Sequence, residues 1–154
     1  MDVTSSKHPV LPRRAFVAGG LSAVLAGSAV ALGILGGASQ VQTASFQFSR
    51  GLSFANGDEA RLRGLLAGAV ADERIHVTIV GHTGSAGDDA ANLELSEERA
   101  GLAQTMAVTL GIPASRITAR GVGGAAPLTK EDGESDRAFQ SRLARVEVSL
   151  QMRR

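Results

Sequence analysis

The stretch GHTGSAGDDAANLELSEERA, residues 81–100, joins two regular patterns and decides how they are connected. Before it, IHVTIVG at 75–81 alternates apolar and polar residues, which predicts a strand. Within it, a loop rich in Gly and Asp gives way to a helix expected over about 90–110, which Gly111 and Pro113 end. The stretch is therefore predicted to be a strand-loop-helix junction.

The residues before this junction predict one more strand and one more helix. VQTASFQFS at 41–49 alternates and is rich in β-forming residues, so its two phenylalanines should share a face. The helix expected at 57–71 is preceded by Asn56, which together with Glu59 forms a predicted capping box. Its apolar residues recur at helical spacing and predict one buried side: Leu62, Leu65, Leu66 and Ala69.

The residues after the junction predict two further strands. RITARGVG at 116–123 predicts a third strand, and ARVEVSLQ at 144–151 predicts the last strand. A loop and a short helix are expected between them. The predicted order is β-α-β-α-β-(α)-β. Two full helices cannot cover both faces of a four-stranded sheet, so we expect an α+β fold built as a two-layer α/β sandwich.

Composition limits the possible functions. The 154 residues are 44% apolar, enough for one globular domain, which we place at 41–154. That domain is nearly neutral, and the chain has 3% aromatic residues, all Phe, so the basic face and stacking platforms of a nucleic-acid-binding protein are lacking. The absence of cysteine excludes disulfides, thiolate metal sites and a lipid-bearing cysteine.

The first forty residues predict export. Residues 1–14 are basic, with Lys7, Arg13 and Arg14, and residues 15–38 hold no charge. As a helix this span would measure about 36 Å, against about 30 Å for the hydrocarbon core of a membrane. The positive-inside rule then places the N-terminus in the cytoplasm and the domain in the periplasm.

Two alternatives remain for this span. PRRAFVAGG resembles a twin-arginine export signal, and AVA at 29–31 could be cleaved by a signal peptidase, which would release a soluble periplasmic domain. A retained transmembrane helix in the inner membrane is favoured by small residues at every fourth position, which suit packing against other membrane subunits: Gly19, Ala23, Gly27 and Ala31. The span has no Asp, Glu, Lys or His, which disfavours a proton-relay role.

Residues 41–152 resemble the OmpA-like peptidoglycan-binding domain of bacterial envelope proteins. The family pattern is Gly-His-Thr-Asp, a Gly three positions on, then Asn, and after two residues Leu-Ser, two more residues and Arg-Ala. The residues that match without a gap are Gly81, His82, Thr83, Gly87, Asn92, Leu95, Ser96, Arg99 and Ala100. Gly84 stands where the family has Asp. In ARVEV, Arg145 matches the family's last strand, whereas Leu143 and Ala144 replace its Asn and first Arg.

The resemblance implies a ligand and a set of contacts. The family binds a diamino-diacid residue of the peptidoglycan stem peptide, which carries both an ammonium and a carboxylate group. The family's Asp holds the ammonium, and its Arg holds the carboxylate through a planar fork. The ligand-binding residues implied here are Thr83, Gly84, Asn92, Leu95 and Arg99. The missing acid should weaken binding roughly ten- to a hundredfold.

Other functions are disfavoured or left as alternatives. Asp88 and Asp89 are not counted as substitutes for the acid, and Asp89 is expected to be a helix N-cap. Arg99 has the alternative of a structural role. A hydrolase using Ser96 or Ser85 with His82 lacks an oriented acid-base set, so no enzyme is predicted, and neither a metal nor a cofactor is expected. We expect a non-enzymatic envelope protein that binds peptidoglycan; the alternative is an accessory subunit of an inner-membrane complex.

Overall fold

The structure is a computed structural model that describes residues 41–153. Its elements are β1 (Val41–Arg50), β2 (Ser53–Phe54), α1 (Asp58–Ala71), β3 (Ile75–Gly81), α2 (Asp89–Thr109), β4 (Ile117–Gly121), α3 (Asp136–Leu143) and β5 (Arg145–Met152). A 3-10 turn at Ala114–Arg116 leads into β4. The predicted basic segment 1–14 and the predicted span 15–38 lie outside the described residues. Within 41–153, none of the helices has the length and hydropathy needed to span a bilayer.

The strands form one mixed sheet in the order β2-β1-β5-β3-β4. Strand β5 lies between β1 and β3 and is antiparallel to both, whereas β3 and β4 are parallel. The predicted order of strands and helices is confirmed, with one additional strand, β2, between β1 and α1. The last strand of the chain occupies the centre of the sheet.

One face of the sheet packs against α1 and α2. Along each strand, buried and more exposed side chains alternate, and both phenylalanines of β1 are buried on one face, as predicted. The buried strand residues include Phe46, Phe48, Val77, Ile79, Val146, Val148 and Leu150. The helices meet this face with Leu62, Leu66, Ala69, Ala100, Ala103, Met106 and Ala107. At about 25 cal/mol per Å² of apolar surface buried, this layer is the main source of stability.

The opposite residues of the strands are mostly polar, with Val41 and Val80 as exceptions, as is typical of an antiparallel sheet with one solvated face. The register places Thr43 beside Ser149, Ser149 beside Thr78, and Thr78 beside Thr118, which forms a row of hydroxyl groups across the sheet. Thr43 Oγ1 and Ser149 Oγ are hydrogen-bonded at 2.8 Å. This pattern is that of the expected two-layer sandwich.

The predicted capping box at the start of α1 is wrong. The N-cap is Gly57, with φ of 81°, and no side chain caps the helix there. This left-handed conformation suits glycine and excludes Asn56 from the capping position. The first turn is attached to β1 instead, because the Asp58 carboxylate accepts a 2.7 Å hydrogen bond from the Gln47 backbone N–H.

Two further local features differ from expectation. Strand β2 was not predicted; it pairs with β1 through Phe48 and Phe54, whose rings stack with centroids 4.5 Å apart. The N-cap of α2 is Asp88, whose side chain accepts from the Ala91 N–H at 2.8 Å. The expectation that Asp89 caps this helix is therefore wrong by one residue, because the extended backbone needed for a cap occurs at Asp88.

Candidate ligand-binding site

Strands β3 and β4 end side by side at two glycines, Gly81 and Gly121, which are partners in the parallel register. A Cβ on Gly81 would overlap the carbonyl of Ser96, and a Cβ on Gly121 would overlap Ser96 Oγ and the Glu97 backbone nitrogen. Only glycine permits this approach. Helix α2 therefore lies directly on the strand ends, next to the loop at 82–88.

The side chain of Ser96 locks this arrangement. Its hydroxyl donates to the Leu93 carbonyl at 2.7 Å and accepts from the Gly123 N–H at 2.8 Å, and the residue is fully buried. The Thr83 N–H donates to the Gly123 carbonyl at 3.0 Å. The loop, the turn after β4 and helix α2 thus form one unit. The Ser96 hydroxyl makes these bonds rather than one to His82.

Arg99 lies on α2 with only 4% of its surface exposed. Its Nε donates to the Gly51 carbonyl at 3.0 Å and its Nη1 to the His82 carbonyl at 2.8 Å. The guanidinium lies 4.8 Å from the ring centroid of Phe48, a cation–π distance. These contacts hold the cation at the end of β3, immediately before the loop.

The charge of Arg99 has an unusual environment. Burial lowers the pKa of Arg99, but a guanidinium is so strong a base that the side chain remains a cation at neutral pH. Arg145, which is equally buried, binds the Glu147 carboxylate at 2.8 Å. Within residues 41–153, Arg99 is instead held by neutral carbonyl groups, and its Nη2 has no protein acceptor.

Thr83 and Gly84 begin the loop next to this cation. Thr83 is 3% exposed, and its Oγ1 has no hydrogen-bond partner in the described part of the chain. Gly84 is half-buried, and its φ lies outside the left-handed region that favours glycine. The backbone conformation therefore leaves position 84 open to residues other than glycine.

The space beside Gly84 is filled by a residue that the sequence did not suggest. The Gln140 side chain of α3 places Oε1 where a Cβ at position 84 would make contact, with Cδ 3.6 Å from that point. Gln140 Nε2 donates to Ser85 Oγ at 3.4 Å across 55 residues of sequence. The only sequence signal was the loss of a side chain at 84, which leaves room for a neighbour.

Asn92 and Leu95 precede Arg99 on one face of α2, since positions i, i+3 and i+7 of a helix share a face. Both are half-buried. Asn92 Nδ2 donates to the Ala86 carbonyl at 3.1 Å and so braces the loop. The structure therefore brings Thr83, Gly84 and Arg99 to one strand end, with Asn92 and Leu95 along the helix that leads to it.

His82 is buried at the same strand end. Its Nε2 lies 3.7 Å from Glu147 Oε2, and neither ring nitrogen has a hydrogen-bond partner within the described residues. Burial lowers the pKa of His82, the neighbouring Arg145 lowers it further, and Glu147 opposes them. The imidazole is therefore neutral at pH 7.

Two further observations concern possible metal binding and a cleft elsewhere in the domain. The described residues contain no group of three or more His, Asp or Glu side chains that could hold a metal ion. A cleft of about 530 Å³ lies between the β1–β2 connection and the two long helices. Its lining includes Leu52, Phe54, Leu102 and Met106, and none of the predicted ligand-binding residues.

The fold and the motif placement define a two-layer domain of the OmpA type, and comparison with known proteins agrees. The OmpA family model matches residues 55–141, more than half of the chain. The chain belongs to the OmpA family.

Curated relatives match over about half of the chain. Outer membrane porin F of Pseudomonas fluorescens is 40% identical over 77 residues, covering 49% of this chain and 24% of that protein. Photosystem I P700 chlorophyll a apoprotein A2 of Gloeobacter violaceus is 42% identical over 77 residues, covering 48% of this chain and 9% of that protein. The matched region is thus a small part of each relative's length.

Solved structures share the fold over most of the described residues. The peptidoglycan-associated lipoprotein of Burkholderia pseudomallei has a TM-score of 0.60 at 22% identity, covering 70% of this chain and 89% of that one. A MotB-like protein of Desulfovibrio vulgaris has a TM-score of 0.59 at 27% identity, covering 73% and 76%.

Proposed function

We propose that the domain binds peptidoglycan through the diamino-diacid residue of a stem peptide, with Arg99 as the group that holds the ligand carboxylate. The observation that carries this proposal is the buried Arg99 guanidinium, which neutral carbonyl groups hold at the loop and which no carboxylate pairs with in residues 41–153. Buried charges in proteins are normally paired with an opposite charge. A ligand carboxylate supplies that charge.

The contacts of Arg99 also explain how it can act as a fixed binding group. Two backbone hydrogen bonds and the Phe48 ring hold the guanidinium in one position, so little side-chain entropy is lost when a ligand binds. Nη2 and the second hydrogen of Nη1 remain available, and together they can present two parallel N–H groups to a carboxylate.

Position 84 supports a modest affinity. The ligand's carboxylate forms an ion pair with Arg99. Its ammonium has no carboxylate partner at Gly84 and so forms no ion pair there. Since a charge-assisted hydrogen bond contributes about 1.5–3 kcal/mol, we expect a dissociation constant roughly ten- to a hundredfold weaker than that of a site with the acid.

The test is a titration of the purified full-length chain with a stem peptide that contains the diamino-diacid. Arg99→Ala should abolish binding, and Arg99→Lys should weaken it because a single ammonium cannot form the bidentate contact. Arg120→Ala on β4 is the matched control, since that arginine is exposed, and should bind as the parent does. Thermal melts of all variants check that the Arg99 variants fold.

A second function has one observation in its favour. The bonds from Arg99 to the Gly51 and His82 carbonyls also fasten α2 to β1 and β3, which a purely structural arginine would do. If the folded parent binds no stem peptide and does not sediment with cell-wall sacculi, the domain serves instead as an accessory subunit of a membrane complex. We propose for both functions that residues 15–38 carry the domain to the periplasm.

A further inference from the structure

Gly84 has no side chain, but the Gln140 side chain occupies the space beside it. A Cβ built on Gly84 would overlap Gln140 Oε1, so the two cannot occupy this space together. The carbonyl oxygen of Gln140 therefore lies directly beside position 84, in space that a side chain there would need.

Helix α3, which carries Gln140, is held in place by several contacts. The Ser135 side chain caps the helix, and Leu143 is fully buried at its other end. Arg142 binds the Glu134 carboxylate at 2.7 Å and the Thr129 carbonyl at 3.1 Å. Arg142 lowers the pKa of Glu134 to about 2, so this clasp is intact at neutral pH.

The carboxamide is also oriented. Its Nε2 donates to Ser85 Oγ at 3.4 Å, which turns Oε1 toward Gly84. The neighbouring Thr83 Oγ1 is buried and has no partner within the described residues, so it provides a second polar group at the same strand end. The Gln140 carbonyl oxygen is therefore the polar atom that the structure places beside position 84.

We propose that Gln140 is the specificity-determining residue of this site and accepts a hydrogen bond from the ligand's amino nitrogen in place of the absent acid. This inference rests on the proposed function. A neutral carbonyl accepts from any N–H, whereas a carboxylate gains most from a cation. The site therefore takes a stem peptide whose amino group is acylated, and hence uncharged, nearly as well as one whose amino group is a free ammonium.

The experiment measures the affinity of the full-length chain for two probes, a stem peptide with the free diamino-diacid and the same peptide acetylated on the side-chain amino group. The parent should bind both within about threefold of each other. Gln140→Ala should weaken binding of both about threefold to tenfold, the range for one neutral hydrogen bond. Ser141→Ala, an exposed neighbour on α3, is the control and should change neither affinity.

Two further variants test whether Gln140 accepts a hydrogen bond from the ligand or only fills space beside Gly84. Gln140→Glu places a carboxylate at the same point and should raise affinity for the free peptide about tenfold without improving the acetylated one. Gly84→Ala adds a Cβ that displaces Oε1, so it should match Gln140→Ala, and the double variant should lose no more than either alone.

The outcomes distinguish this inference from the proposed function. If the parent and Gln140→Ala bind both probes equally while Arg99→Ala abolishes binding, the site binds stem peptide and the role of Gln140 is wrong. A Gln140→Glu variant that binds the free peptide more weakly also overturns the acceptor role. If the folded parent binds neither probe, both proposals fail together.

Discussion

His82 shows how a single residue of the motif can make the fold sensitive to pH. Its imidazole is buried, neither ring nitrogen has a hydrogen-bond partner in the described residues, and burial is the main cause of its lowered pKa. In the unfolded chain the pKa returns to about 6.5. Between these two values the unfolded state binds more protons than the folded state, so protonation favours unfolding.

We therefore expect the free energy of unfolding to fall as the pH drops below about 6.5 toward the folded pKa of His82, and to be constant above it. His82→Gln should flatten this dependence, measured by denaturant titration between pH 7.5 and 5. His76→Gln is the control: its pKa is also lowered but the residue is half-exposed, so its share should be smaller.

The two ion pairs formed by Asp72 and Glu134 also respond to acid, but they titrate below the pH range of this measurement. The pKa values of Asp72 and Glu134 are held at about 2 by hydrogen bonds to Arg74 and Arg142, respectively. Their contribution is present above the ordinary carboxylate range and is lost only at lower pH, below about 4.5. An unchanged slope in His82→Gln would show that the imidazole is not the group responsible.

At the scale of elements, the contact of α2 with the ends of β3 and β4 depends on glycine. Gly121→Ala would push a methyl group into Ser96 Oγ and the Glu97 backbone nitrogen. The backbone nitrogen cannot move without displacing the helix, and the hydroxyl can rotate away only by losing its two hydrogen bonds. We expect a loss of about 3 kcal/mol, the upper end of the usual range for overpacking, in a denaturant-unfolding measurement.

Gly101→Ala provides the control in α2, the helix that Gly121 of β4 contacts. A Cβ there meets nothing within 4 Å, and alanine is the better helix former, so stability should rise by about 0.5–1 kcal/mol. Equal effects of the two substitutions would contradict the close approach of α2 to the strand ends.

The longer elements could be predicted from sequence because their apolar residues repeat with the period of a strand or a helix. Strand β2 could not, since two residues are too few for any period. The N-caps of α1 and α2 were each predicted one residue away from their positions at Gly57 and Asp88. Several neighbouring residues can occupy a cap, and the backbone angle decides between them. The motif located Arg99, but Gln140 reaches the site only through the packing of α3, which no local pattern encodes.

At the scale of the whole molecule, the connection between the domain and the predicted membrane span would set what the site can reach. Strand β1 begins at Val41, and the predicted span ends at residue 38, so two residues join them. Such a connection measures about 7 Å when extended. A retained span would therefore hold the domain against the membrane surface, whereas a cleaved signal would release it.

Cell fractionation decides between these two states. We expect the full-size protein in the membrane fraction, because residues 15–38 carry no charge and follow a basic segment. A soluble periplasmic product that begins near Leu32 would show that the span is a cleaved signal, while leaving export intact.

The face of small residues in the same span gives the final prediction. Gly19, Ala23, Gly27 and Ala31 would let a second membrane helix approach closely, and packing of this kind drives helix association where lipid removes the hydrophobic effect. Gly27→Ile keeps the span apolar, so insertion should be unchanged, but its larger side chain should reduce crosslinking to membrane partners. Leu25→Ile, away from this face, is the control. Unchanged crosslinking in Gly27→Ile would mean that the small residues only moderate the hydropathy of the span, and the accessory-subunit function would lose its structural basis.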